Sequence, residues 1–159
     1  MSSTTTLWTV GYEGLSIETF LARLRTNGVE HLVDIREAPI SRKPGFAKTA
    51  LSAAIEAAGM RYSHIRALGC PKPIRDRFKA DGDWSRYTRG FTRYLAEQSE
   101  ALGMLRAIAG SAPACVMCYE ADFGRCHRTF VAEAVVGVRG RIRHITGESS
   151  DAQATLSFT

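Results

Sequence analysis

Ala114-Cys115-Val116-Met117-Cys118 runs five residues without a polar break. A strand covered on one face alternates apolar with polar residues. A continuous apolar run instead marks a central strand buried on both faces, as in parallel sheets. Tyr119 to Arg125 follows as a polar loop, and a helical apolar period runs from about Cys126 to Val136. Arg141 to Thr146 reads as one more strand.

Toward the N-terminus the same alternation repeats. Leu7 to Val10 is β-rich and closes at Gly11. Ser16 then caps a helix whose apolar stripe is Ile17, Phe20, Leu21 and Leu24, ended by Asn27-Gly28. His31 to Ile35 is a second strand, followed by a loop with Pro39, Pro44 and Gly45. Leu51, Ala54, Ile55 and Ala58 form a helical stripe, with Gly59 in the stop position. Tyr62 to Ile65 is a weaker strand. Residues 66–82, with Pro71, Pro73 and Gly82, read as a long irregular segment. A helical pattern then extends from Asp83 toward Ile108, with a break expected near Gly103. Strands that alternate with helices predict one α/β domain over 6–146, a mainly parallel sheet with helices on both faces. Residues 1–5 and 147–159 read as tails, the stretch after Gly147 as one that frays.

A composition of 45% hydrophobic and 23% charged residues is that of an ordinary globular domain, not a disordered or fibrous chain. No apolar run approaches the roughly 20 residues of a membrane span. The first residues lack the basic start and long apolar stretch of a signal peptide, so the expected location is the cytoplasm. Cys70, Cys115, Cys118 and Cys126 are too few and too clustered for a disulfide framework in a reducing compartment. The net charge of +5 is uneven: residues 61–106 hold 10 Lys/Arg against 5 Asp/Glu, and the remainder is balanced. A basic segment of this kind suits a phosphate-bearing small molecule or nucleic acid.

In parallel α/β sheets the ligand crevice lies beyond the carboxyl ends of the strands. That rule selects Tyr12 after the first strand, Asp34 and Arg36 at the second, and Cys118 to Glu120 at the central one. The loop to Cys126-His127-Arg128 has the layout of an anion site, because a helix start offers unpaired N–H groups and Arg128 a planar fork. Three chemistries fit these residues. Cys118 with Arg125 gives C-x6-R, one residue longer than the phosphatase cradle. Cys118, Cys126 and His127 could hold zinc, with Cys70 or His64 completing the site, although adjacent Cys and His side chains are expected to diverge. Glu120 and Asp34 could share acid–base work, with Arg36, Arg42 and Arg128 binding a charged substrate. Trp84, Tyr87, Phe91 and Tyr94, interleaved with arginines, fit a core-facing helix stripe better than a base-stacking surface.

The Thr9-Val10-Gly11-Tyr12 start, Asp34-Ile35-Arg36 with Pro39 and Ser41-Arg42, Leu68-Gly69, and Cys118-Tyr119-Glu120 with Cys126-His127-Arg128 resemble the family called domain of unknown function 488. The resemblance spans about residues 6–146. It implies a small cytoplasmic α/β protein and carries Asp34, Arg36, Glu120, Cys126, His127 and Arg128 as its motif positions, but it brings no established reaction.

The sequence thus leads to an enzyme acting on a phosphate-bearing substrate such as a nucleotide, with Asp34 and Glu120 catalytic. Tyr12, Arg36, Arg42, Cys126, His127 and Arg128 would bind the anion or substrate. No cofactor, resident metal or membrane is expected. The alternative is a non-catalytic nucleotide- or nucleic-acid-binding module, in which arginines would tie up both carboxylates.

Overall fold

Residues 5–147 are described by a computed structural model; the predicted frayed tail after Gly147 lies outside them. They hold five strands: β1 (Thr6–Gly11), β2 (His31–Asp34), β3 (Arg61–His64), β4 (Ala114–Cys118) and β5 (Arg141–Ile145). The sheet is parallel throughout, in the order β3-β2-β4-β1-β5. All five β4 residues are buried, as their unbroken apolar run requires.

Helices α1 (Ile17–Thr26) and α2 (Lys48–Ala57) follow β1 and β2. Phe20, Leu24, Leu51 and Ile55 pack with Val10, Leu32, Cys115 and Met117. The opposite face of the sheet, with Leu7, Val33, Ala114 and Val116, meets α4 (Trp84–Ala96), α5 (Ser99–Ser111) and α6 (His127–Val136). Strand alternation therefore divides Cys115 from Val116, and the two apolar clusters are the two sides of one sheet.

The predicted elements recur with small shifts at their ends. Ser16 Oγ accepts from the Thr19 amide at 3.1 Å and starts α1. Gly59, at φ 86°, follows α2. Two expectations fail between 66 and 111. The segment read as irregular contains a 3-10 turn (Arg66–Leu68) and a further helix, α3 (Lys72–Asp81). Pro71 and Pro73 sit at its N-cap and first turn, where a missing N–H costs nothing. The expected long helix is two helices, divided at Glu97-Gln98, and Gly103 lies inside α5. An interior glycine costs only about 1 kcal/mol, less than the burial of Ala101 and Leu105 returns.

The connections out of β1 and β2 lead to helices on one face, whereas that out of β4 leads to α6 on the other. β4 lies between β1 and β2, so the loops part there and open a crevice at their carboxyl ends.

Candidate functional site

A cleft of about 550 Å³ occupies that crevice. The chain just past β1 supplies Tyr12, the β2 end Arg36 and Glu37, the β4 end Cys118, Tyr119 and Glu120, and the start of α6 His127. One side is closed by α3, which brings Arg75, Phe78 and Lys79, and Arg125 adds a further cation. Part of the basic excess of residues 61–106 therefore lines the cleft through α3.

Asp34 lies under the cleft, fully buried. Its Oδ1 accepts from the Arg36 amide (3.1 Å) and Nε (2.9 Å), and its Oδ2 from Arg36 Nη2 (2.7 Å) and the Tyr62 hydroxyl (2.6 Å). Burial opposes the Arg36 charge, but the hydrogen bonds and charge of Asp34 more than reverse this and raise its pKa. Burial, then the Asp34 hydrogen bond, also raises that of Tyr62. Arg36 Nη1 donates to the Phe46 carbonyl (2.7 Å) and to Tyr12 Oη (3.2 Å). The Tyr12 ring stacks on Phe46 at 4.5 Å. The sequence assigns Asp34 to acid–base work. In the structure its carboxylate is buried and accepts from Arg36 and the Tyr62 hydroxyl.

The β4–α6 loop folds back over the end of β1. Gly11 permits the approach, because a Cβ there would fall on the Glu120 carbonyl. The Tyr12 amide donates to the Cys118 carbonyl (3.2 Å), and the Glu13 carboxylate accepts from the Ala121 amide (3.0 Å). Gly11→Ala is expected to cost about 1–3 kcal/mol through backbone displacement and to move Glu120. Thermal denaturation checks this; an unchanged midpoint would show that the loop yields freely.

Arg128 is fully buried inside this fold-back. Its Nε donates to Thr9 Oγ1 (3.1 Å), Nη1 to Cys118 Sγ (3.2 Å) and to the Glu120 carbonyl, and Nη2 to the Ala121 carbonyl (3.2 Å). Burial lowers its pKa to about 10, so it stays charged at neutral pH. The guanidinium therefore holds the loop from within, and its fork points at backbone rather than into the cleft. Glu120 is exposed and forms no ion pair among the described residues.

Cys118 and Cys126 are bonded as a disulfide, a pairing the cysteine count did not lead us to expect. The loop returns Cys126, the residue before α6, beneath the end of β4. The ligand atoms of Cys118, Cys126 and His127 lie within 4.8 Å of one another, so the adjacent Cys and His do not diverge. His127 Nε2 donates to the Ile35 carbonyl (2.9 Å), and burial lowers the imidazole pKa to about 4. The ring is neutral at pH 7, with Nδ1 unprotonated and 3.8 Å from Cys126 Sγ.

Other expected residues fall elsewhere. Arg42 is exposed and does not line the cleft. Arg125 lies over the Trp84 ring at 5.5 Å, and the cation beside the Cys118 sulfur is Arg128, so the C-x6-R spacing forms no phosphatase cradle. Trp84, Tyr87, Phe91 and Tyr94 belong to the apolar cluster under α4. Sequence reasoning missed Arg75, Lys79 and Glu37. The first two sit on the helix read as irregular, and Arg75 Nη2 pairs with Glu37 Oε1 at 2.6 Å. Gly69 allows this side to close, because a Cβ there would strike the Glu37 backbone. Its place after Leu68 was the available signal.

No helix of the described residues is long and apolar enough to cross a membrane. No curated protein and no solved structure matches the chain. The pattern of the family described as Domain of unknown function DUF488 matches residues 16–135, from α1 through all but the last residue of α6. That stretch is well over half of the chain and carries Asp34, Arg36, Glu120, Cys126, His127 and Arg128 in one crevice or directly beneath it. The chain therefore belongs to the family of the domain of unknown function DUF488.

Proposed function

We propose that the cleft binds a phosphate-bearing substrate of nucleotide size and that Glu120 is its acid–base group. One observation carries this reading: Arg75, Lys79 and Arg125 converge on a single cleft with the exposed Glu120 and the rings of Tyr12, Phe78 and Tyr119. Cations draw phosphate, rings offer a face for a base, and a free carboxylate can take or return a proton. A volume of about 550 Å³ suits a small ligand better than a duplex. Asp34 is left out of the chemistry by its ion pair, so the mechanism has one carboxylate. Arg36 and Tyr12 hold the floor. A cytoplasmic location is part of this reading, since nucleotides and phosphorylated metabolites are concentrated there.

A non-catalytic nucleotide-binding module is the second reading, favoured by the Asp34–Arg36 pair. The two part at Glu120. Calorimetric titration with ADP and pyrophosphate should detect binding, and Lys79→Gln with Arg125→Gln should weaken it by roughly tenfold or more. Glu120→Gln should leave that binding within about threefold, because the group carries no phosphate contact. Turnover is then followed by phosphorus NMR on nucleoside mono-, di- and triphosphates and on phosphodiesters. Loss of turnover in Glu120→Gln supports an enzyme, while binding without turnover in the wild type supports the module. Absence of any binding by ADP or pyrophosphate would overturn both.

A further inference from the structure

We propose that, in the reduced protein, Cys118, Cys126 and His127 form a site for a tetrahedral divalent cation of the zinc type, with the fourth position open to the cleft. Two thiolates and an imidazole are a donor set zinc takes, and three protein ligands with one open position is the pattern of catalytic rather than structural zinc. Cys118 and His127 both line the cleft, so the open position faces the space where a substrate would sit. This site stands on a different observation from the phosphate reading and does not require it.

The edge between Cys126 and His127 suits the ion. With Zn–S near 2.3 Å and Zn–N near 2.05 Å, a tetrahedral S···N edge is about 3.6 Å. Cys126 Sγ and His127 Nδ1 are 3.8 Å apart. The Cα atoms of the two cysteines are 7.7 Å apart, wider than the roughly 4.4–6.8 Å usual for a direct disulfide. An ion between the sulfurs suits that span.

The surroundings are those of a ligated centre. Metal-binding histidines donate their second N–H to a carboxylate or carbonyl, which fixes the tautomer. His127 does this through Nε2 to Ile35, leaving the Nδ1 lone pair on the sulfur side. Arg128 is a buried cation that bonds no carboxylate among the described residues and gives one N–H to Cys118 Sγ. A ligating thiolate answers that charge. Two thiolates cancel the charge of the ion, and the Arg128 cation then favours an anionic fourth ligand. Glu120 Oε1, 3.7 Å from Cys118 Sγ, places a carboxylate beside that position.

Loading follows from the disulfide. A dithiol reductant supplies two electrons and two protons, the Cys118–Cys126 S–S bond breaks to give two thiols, and the reductant leaves as its own cyclic disulfide. Each thiol releases one proton as the ion binds, so one cation replaces two protons.

The test uses the full chain, reduced and then dialysed against trace zinc. Elemental analysis should find about one zinc per chain. Cobalt(II) added to the metal-free reduced protein should give a thiolate-to-metal charge-transfer band with the visible bands of a tetrahedral ion. Cys118→Ser and Cys126→Ser should each lower zinc affinity at least tenfold, and Cys70→Ser should leave it unchanged. The cobalt spectrum of the wild type reports thiolate ligation without any variant, so a misfolded mutant does not obscure the answer. Reduced, folded protein with neither zinc nor the cobalt band would overturn the site and leave a disulfide alone. Zinc retained undiminished by both serine variants would overturn it too. Neither result bears on ADP or pyrophosphate binding, which is measured separately.

Discussion

Asp34→Asn is expected to lower the unfolding free energy by about 3–5 kcal/mol, the scale on which removing one partner of a buried ion pair destabilises a domain. The amide has nearly the same shape, so the loss comes from charge. Arg36 keeps its guanidinium in a site where it is only 7% exposed, facing a neutral group. The substituted amide could accept through one oxygen only, against the four hydrogen bonds the carboxylate accepts now. For a domain of this size, such a loss lowers the melting midpoint by roughly 10 °C. A double-mutant cycle with Arg36→Met separates the pair from its neighbours. If Asp34 serves Arg36, removing both costs clearly less than the two single losses added, with a coupling of about 2 kcal/mol or more. Additive losses, or a stable Asp34→Asn protein that has lost only turnover, would return Asp34 to the catalytic role that its strand-end position suggested.

The catalytic reading of Asp34 rests on position alone, and it shows where the sequence is legible. The parallel sheet is written in the β4 apolar run and in stripes such as Phe20 and Leu24, which respond to a single demand, burial on a known period. The strand-end rule then finds Tyr12, Arg36, Cys118 and Glu120 without any chemistry, because topology brings chain ends together. Which partner a polar group takes is not periodic. Asp34 and Arg36 are two residues apart, and their pairing depends on Arg36 lying beyond β2, where the chain has left the regular strand. The α3 helix was hidden for a related reason. It buries no residue completely, so its stripe of Ile74 and Phe78 is weak, and its two prolines resemble breakers until their place in the first turn is known. Because α3 carries Arg75 and Lys79, losing the helix also lost half of the cleft's cations.

Arg128→Met is expected to cost about as much as Asp34→Asn, roughly 3–5 kcal/mol, and for a different reason. No carboxylate is stranded, since none among the described residues bonds Arg128. What is stranded is backbone: the Glu120 and Ala121 carbonyls lose their donor, and Thr9 Oγ1 loses the Nε bond. The β4–α6 loop would then lack the inner tie that holds Glu120 at the cleft. Arg128→Lys discriminates between a tie and a ligand. Lysine keeps the charge but presents one compact ammonium in place of a planar fork, so it can reach only part of the set. A structural tie therefore predicts a graded loss of stability, wild type above lysine above methionine, with pyrophosphate affinity falling only as the folded fraction falls. A ligand role predicts the reverse order of symptoms: both variants melt like wild type, yet pyrophosphate binding is weakened tenfold or more. Denaturation midpoints and calorimetric titrations on the same three proteins decide it. The geometry favours the tie, because four hydrogen bonds from one fully buried guanidinium hold residues of β1, β4 and the loop in a single register.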